Sequence, residues 1–382
     1  MKVAYITRKS ADDIKVWSGT RKYIFDNLTQ ICDVTNIVVP VTTVHKIVHK
    51  IIHKITFNRI NYSKIDKIFE KREIQKKLTE INKYDILFFV AQSDILSSSL
   101  INKDKKIIYL SDATYRAMLG YYYFNVPQSE VKWRDFNEKV SLCKSSQIIL
   151  TSNWAKNSAE QNYKITSTKL NVIPFGANMP DEYKEKITPL KNVRLLIVGV
   201  DWKRKGIDIA IKTVKLLNLK QNKYHFILNV VGFKKPADTI YPDFIRFQGR
   251  LNKNKKEELK KMIFLYQNSD IFVFPTQAEC SAISLCEAAM YGLPVVTYKT
   301  GGLTTYVKNN ESGFLLSPNS TERTFSKKIL EILNNNLFIN MSKQSRELYI
   351  YRLNWNSWKE KVNNIILECM KETINDKEKK KN

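Results

Sequence analysis

Two carboxylates, Glu279 and Glu287, stand eight positions apart within Ala278-Glu279-Cys280-Ser281-Ala282-Ile283-Ser284-Leu285-Cys286-Glu287. Ahead of them, apolar Ile271-Phe272-Val273-Phe274, ended by Pro275, reads as a buried parallel strand whose carboxyl end opens into a loop carrying Glu279. From about Ile283 to Met290 the pattern predicts a helix, stopped by Gly292 and Pro294 before a further strand at Val295-Val296-Thr297-Tyr298. Cys280, Ser281, Ala282 and Ile283 then form a helix entrance. Free backbone N–H groups and the positive end of the helix dipole make such an entrance a site for a diphosphate or a polar sugar. Glu287 falls inside the helix, where a carboxylate can accept from paired hydroxyls such as those of a ribose. Gly301-Gly302 forms a second small-residue entrance.

Upstream, Arg194-Leu195-Leu196-Ile197-Val198-Gly199 reads as another buried strand, and Lys203-Arg204-Lys205-Gly206 opens the helix after it. Basic side chains beside a helix entrance suit a pyrophosphate. Phe226 to Gly232 and Ile245 to Leu251 supply two further strand-like segments. At these residues the chain resembles glycosyltransferase family 4, retaining enzymes of the GT-B fold whose signature is two glutamates separated by seven residues. The resemblance runs on through Glu287-Ala288-Ala289-Met290-Tyr291-Gly292-Leu293-Pro294-Val295, the Gly301-Gly302 turn and Glu311-Ser312-Gly313-Phe314-Leu315-Leu316.

The resemblance implies an α/β chain of two Rossmann-like domains facing a central cleft. It implies that Lys205 and Arg204 neutralise the leaving diphosphate, together with the entrance at Ser281, Ala282 and Ile283. Many members carry the arginine directly after the strand's glycine, where this chain has Val200-Asp201-Trp202, so Arg204 stands in for it. Glu279 is then the residue that orients the donor sugar and Glu287 the one that grips the ribose, while backbone near Arg250 and Leu251 meets the base. Such enzymes generally need no metal, and no cofactor is implied.

The amino-terminal half repeats the architecture with less explicit chemistry. Lys2 to Ile6 reads as a first strand, followed by Trp17-Ser18-Gly19-Thr20 and a helix through Tyr23, Phe25 and Leu28. Gly19 allows close backbone approach to a ligand, and in the resembled fold its loop touches the donor phosphate or the acceptor. Ile86 to Val90 and Ile107 to Ser111 are later strands, the second delivering Asp112 at its carboxyl end, either as a cleft residue or as a cap for a helix from Ala113. Many family members have a histidine here. Ile148 to Trp154 and Val172 to Ala177 resemble the last strands of the first domain. Pro180 to Pro189, polar and proline-bounded, reads as the linker. The expected organisation is an acceptor domain over 1–180, a donor domain over 181–355, and a terminal helix crossing back with a basic tail over 356–382.

With 382 residues, each half can bury its own core. Five scattered cysteines without a CxxC pair argue for a reducing compartment, and no apolar run is long enough to span a bilayer, so a cytoplasmic chain is expected. The net charge of +26 points to an anionic partner. Val34 to Ile65 contains no Asp or Glu, and within it Val44 to Ile55 sets lysines beside an Ile and Val face. That pattern, in the basic segment 44–65, fits the inner face of the cell membrane, which would bring the enzyme to a lipid-linked acceptor; the alternative is a solvated basic helix packed on the first domain. His45, His49 and His53 fall at helical spacing, but no carboxylate lies between them and no matching ligand is evident, so no metal is expected.

The leading expectation is transfer of a sugar, UDP-linked, from a nucleotide-diphosphate donor to a hydroxyl of a surface glycan or glycolipid acceptor. A catalytically silent GT-B membrane partner and a basic nucleic-acid-binding protein are the alternatives from other classes. The latter lacks a recognisable binding module or interleaved stacking aromatics, so no specific nucleic acid is expected.

Overall fold

A computed structural model describes residues 2–13, 16–56, 64–220, 223–334 and 336–379. The chain divides into two compact units, Met1–Ile173 with Lys359–Asn382, and Pro174–Trp358.

The first unit is built on a six-stranded sheet of β1 (Lys2–Thr7), β2 (Asp33–Val38), β3 (Ile86–Val90), β4 (Lys106–Ser111), β5 (Gln147–Leu150) and β6 (Leu170–Val172), in the order β2-β1-β3-β4-β5-β6. All its pairings are parallel. The second unit carries β7 (Asn192–Val198), β8 (His225–Val231), β9 (Ile245–Gly249), β10 (Ile271–Phe274), β11 (Val295–Tyr298) and β12 (Gly313–Leu316), ordered β12-β11-β10-β7-β8-β9 and again parallel throughout. Helices cover both faces of a parallel sheet, so strands inside it can be apolar along their whole length: Ile-Leu-Phe-Phe-Val in β3 and Ile-Phe-Val-Phe in β10 are buried at every position.

Each strand order has a reversal. In the second unit the chain winds from β7 outward to β9 and then returns to lay β10 against the other side of β7. At such a reversal the loops after the two central strands diverge and leave a crevice at the carboxyl ends, the usual ligand position in open α/β sheets. The corresponding reversal in the first sheet lies between β1 and β3.

Local chemistry explains the element ends. Ser152 accepts a hydrogen bond from the Ala155 amide (3.2 Å) at the start of helix Asn153–Tyr163. Thr42 does the same for His45 (3.3 Å) at the start of Thr43–Ile55.

Several expectations need correction. The helix read as opening at Lys203 comes in two pieces, Trp202–Lys205 and Ile207–Lys220, because Gly206 takes φ 69°. A β-carbon there would lie 2.1 Å from the Pro275 carbonyl oxygen, so the residue must be glycine for the end of β10 to sit against the Lys205 turn. The strand read from Val172 onward stops at Val172 itself. Asp112 does not cap the following helix; Thr114 does, accepting from Ala117 at 3.4 Å. The stretch 180–189 is anchored within the second unit, where the Lys186 ammonium donates to the carbonyls of Tyr266, Gln267 and Ser269. The terminal helix Trp355–Lys379 starts in the second unit and counts with the first from Lys359 onward.

In the basic segment 44–65, the helix Thr43–Ile55 forms, the helix Lys64–Ile81 includes the last two positions, and residues 57–63 lie outside the described residues. The sequence pattern offers its histidines no carboxylate, yet folding supplies two. His45 meets Glu73 through Nδ1 (3.1 Å) and Asp66 through Nε2 (3.2 Å), and His49 Nδ1 lies 2.9 Å from Asp66. No helix among the described residues is long and apolar enough to cross a membrane.

Candidate active site

The loops leaving β7 and β10, neighbours at the reversal of the second sheet, bring three predicted residues together. After β7 the chain turns through Asp201, whose left-handed backbone (φ 78°) is unusual for a side chain other than glycine. Its carboxylate offsets that strain by accepting from the Arg204 amide and from Arg204 Nε, each at 3.2 Å. The short helix Trp202–Lys205 therefore delivers Arg204 and Lys205 as a fixed pair. The Arg204 carbonyl accepts from the Gln277 amide (2.7 Å) and the Thr276 hydroxyl (3.2 Å), which locks the two loops together.

Glu279 is the meeting point. Its Oε2 accepts from Lys205 Nζ in a close ion pair and from Arg204 Nη1 at 3.3 Å, while Arg204 Nη1 also donates to the Ala278 carbonyl at 3.0 Å. Lys205 and Glu279 are both buried, 7% and 8% exposed, and the Lys205 ammonium lies 4.5 Å from the centre of the Phe274 ring. Burial pushes the Lys205 pKa below its usual value; the Glu279 carboxylate opposes that shift and the neighbouring Arg204 adds to it. The Glu279 carbonyl accepts from the Gly302 amide at 3.0 Å, so the second small-residue entrance is tied to the same loop.

The helix Ile283–Met290 begins four residues beyond Glu279, with Ala282 at its cap position and no side-chain cap. Ser281 and Ile283 are half-buried and Ala282 is buried, so the entrance keeps its backbone donors without a competing side chain. One turn in, Glu287 is 1% exposed and both its oxygens are engaged: Oε1 by Lys253 Nζ in a close ion pair, Oε2 by the Tyr266 hydroxyl at 3.0 Å. Burial and the adjacent carboxylate push the Tyr266 phenol well above its usual pKa.

Arg250 and Leu251 follow β9. Arg250 is exposed, and Leu251 packs against the core of the second unit. Gly19 and Asp112 belong to the first unit. Gly19 has φ 81° and precedes helix Thr20–Leu28, and Asp112 follows β4, its carbonyl accepting from the Thr151 hydroxyl at 3.3 Å. Asp201, Lys253 and Tyr266 were not foreseen. A lysine in the basic run Lys253-Asn254-Lys255-Lys256 and a tyrosine in an amphipathic helix carry no local signal. Asp201 could have been found, since an Asp three residues before a basic turn is a capping pattern.

Residues 179–349 match the family model described as glycosyl transferases group 1. An uncharacterised glycosyltransferase of Haemophilus influenzae is 25% identical over 301 residues, covering 76% of this chain and 78% of its own. The lipopolysaccharide glucosyltransferase WaaG of Escherichia coli is 24% identical over 194 residues, 46% of this chain and 49% of that protein. Among solved structures, Anabaena Alr3699/HepE, crystallised with UDP and glucose, superposes with TM-score 0.62 at 13% identity, over 96% of this chain and all of that one (100%). Two parallel six-stranded sheets clothed in helices, the family model matched over residues 179–349 and these relatives together establish the chain as an enzyme, a glycosyltransferase of α/β GT-B fold.

Proposed function

We propose that this enzyme is a retaining transferase of the E-x7-E type, family 4, which moves a hexosyl or N-acetylhexosaminyl group from a UDP-sugar to a hydroxyl of a surface glycan or lipid-linked acceptor. The observation that carries the reading is the convergence of Lys205 and Arg204 on Glu279 at the β7/β10 reversal, beside an uncapped helix entrance. The anomeric C–O bond to the diphosphate breaks as the acceptor oxygen bonds to the same carbon. Negative charge then grows on the leaving phosphate and positive charge on the sugar ring. Lys205, Arg204 and the amides of Ser281 to Ile283 stabilise the first, and Glu279 the second, in a site already withdrawn from water. The departing phosphate oxygen takes the acceptor proton, so no separate base is required. Glu287 accepts from the ribose hydroxyls, backbone near Arg250 and Leu251 meets the base, Gly19 meets the donor phosphate or the acceptor, and Asp112 is a further catalytic residue, at the place where many family members have a histidine that hydrogen-bonds the transferred sugar. UDP and a lipid-linked acceptor are favoured by the relatives described above: one binds UDP and glucose, and another acts in lipopolysaccharide assembly.

The enzyme works at an anionic membrane surface, with helix Thr43–Ile55 as the contact. In support, Val44, Ile47, Ile51 and Ile55 are 60%, 53%, 51% and 70% exposed, and Lys46, Lys50 and Lys54 are exposed beside them. Each lysine adds about 1 kcal/mol near an anionic surface. The helix is held from behind by His45 and His49 on Asp66 and Glu73. Vesicles containing phosphatidylglycerol should co-sediment the protein, and the K46E/K50E/K54E variant should stay in solution; equal sedimentation of the two refutes this contact.

The donor site is tested by calorimetric titration with UDP, using GDP and CMP for comparison. Selective UDP binding lost in Glu287→Ala supports the reading. A folded protein that binds no nucleotide refutes it and favours a catalytically silent partner.

A further inference from the structure

Glu287 is among the most deeply buried carboxylates in the second unit, yet the ribose role proposed above requires it to be ionised and to present lone pairs. The titratable groups around it come from three places. Lys253 arrives from the loop after β9, Tyr266 from helix Lys256–Gln267, and Cys286 and Tyr291 from its own helix and the turn after it. Burial pushes the Tyr266, Cys286 and Tyr291 groups above their ordinary values, so near neutral pH all three are uncharged. The cation against Glu287 is Lys253, whose side chain is 26% exposed while that of its partner is 1%. The pair spans 34 residues of sequence and closes the base-side loop onto the donor helix.

We propose that Lys253 is a positioning residue for the nucleotide: it holds Glu287 as an oriented carboxylate, so that the ribose diol meets an acceptor, and it fastens the 250–253 loop where the base is read. This rests on the donor-site reading. A carboxylate stripped of its cation in such a place is costly, and protonation relieves the cost. A protonated Glu287 presents an O–H in place of one acceptor and loses the charge that strengthens the ribose bonds.

The test is calorimetric binding of UDP to wild type, Lys253→Met and Lys253→Arg between pH 5.5 and 8.5, with each variant read as a ratio to wild type. For Lys253→Met the ratio should fall by about tenfold per pH unit at the acid end and recover toward pH 8.5. Lys253→Arg should follow wild type. A Lys253→Met ratio that stays at one, or that is lowered by the same factor at every pH, overturns the proposal; the second result would mean a direct contact to the nucleotide. Thermal unfolding gives an arm independent of ligand. A carboxyl whose folded value is raised contributes stability that is present at low pH and lost as pH rises through that value. The Tm deficit of Lys253→Met should therefore grow from pH 5.5 to 8.5, and Glu287→Gln in the same chain should remove the growth. A deficit independent of pH overturns the neutralising role. Wild type that binds no nucleotide removes the donor reading, while the thermal arm still decides the pairing.

Discussion

Glu279→Gln should uncouple the charge of Lys205 from the shape of the site. Glutamine keeps the volume and a hydrogen-bond acceptor for Arg204 and Lys205 but removes the counter-charge. Lys205 is held by burial, which lowers its pKa, by Glu279, which raises it, by Arg204, which lowers it again, and by Asp201, which raises it. Deleting Glu279 leaves only Asp201 to oppose burial and Arg204. At an effective dielectric of about 20, opposite charges about 4 Å apart attract by roughly 4 kcal/mol. The sign follows from the mechanism proposed above, in which only the ammonium stabilises the departing diphosphate, since a lysine is charged below its pKa. The alkaline limb of kcat/KM, which reports the free enzyme, should thus move to lower pH. At its own optimum the variant should still be slower by about 10²–10³, because in the proposed mechanism the sugar's positive charge loses its partner. UDP release from UDP-sugar, followed between pH 5 and 10, measures the limb, and ¹³C NMR of labelled lysine observes the Lys205 ammonium directly. An alkaline limb that stays where wild type has it would refute the argument that Glu279 keeps Lys205 charged.

Other consequences are as definite. Asp270, whose carboxylate accepts from the Arg194 amide at 2.6 Å, is pushed up to about 6, chiefly by burial. Its folded value exceeds the unfolded one, so this contribution to stability is complete below the unfolded value near 3.8 and is lost as pH rises through 6. Asp270→Asn should be the more stable protein at pH 7 to 8, by about 2–3 kcal/mol, with the gap closing toward pH 4; parallel denaturant midpoints across that range would contradict it. Gly206→Ala and Gly249→Ala form a matched pair, since both have positive φ (69° and 73°), but only at Gly206 does the added β-carbon collide, with the Pro275 carbonyl at 2.1 Å. Gly249→Ala should lose about 1–2 kcal/mol from backbone strain alone, and Gly206→Ala at least twice that along with UDP-sugar turnover. Equal losses in urea melts would show that the packing of the Lys205 turn on the end of β10 is not tight. In the first unit, burial raises the Glu138 carboxyl to about 7 although the Tyr109 hydroxyl donates to it at 3.2 Å. Glu138→Gln should gain stability relative to wild type as pH rises through 7, and an unchanged difference between pH 5 and 8.5 would count against that burial cost.

Much of the fold was legible because a parallel sheet covered on both faces requires short, wholly apolar strands, and these stand out from the basic, polar remainder. β3, β10 and β11 begin and end as the sequence pattern predicts, and helix Ile283–Met290 is bounded by the small entrance residues and by Gly292. Edge elements were harder to see. β2, Asp33–Val38, has exposed and half-buried positions along most of its length, so its residues mix polar with apolar and resemble loop. The false extension of β6 past Val172 has a related cause: Ile173, Phe175 and Ala177 are buried and apolar, although the last contact with β5 is the Ile173 amide donating to the Leu150 carbonyl.

For the candidate site the division is one of range. Residue types and spacing within about ten positions determined that a carboxylate follows one buried strand, that a second lies one helix entrance further on, and that a lysine and an arginine follow another strand. Those are consequences of local conformational preference and hydrophobic period, which act between near neighbours. Tertiary structure alone decided who meets whom. Lys205 and Glu279 are 74 positions apart, and they meet because the strand order reverses between β7 and β10. The partners Lys253 and Tyr266 reach Glu287 across 34 and 21 positions, from a loop and a helix whose own sequences have no mark of that use. A buried carboxylate must find a cation and a donor, but which ones it finds depends on how sheet and helices pack, and that is settled only by the burial of the whole core.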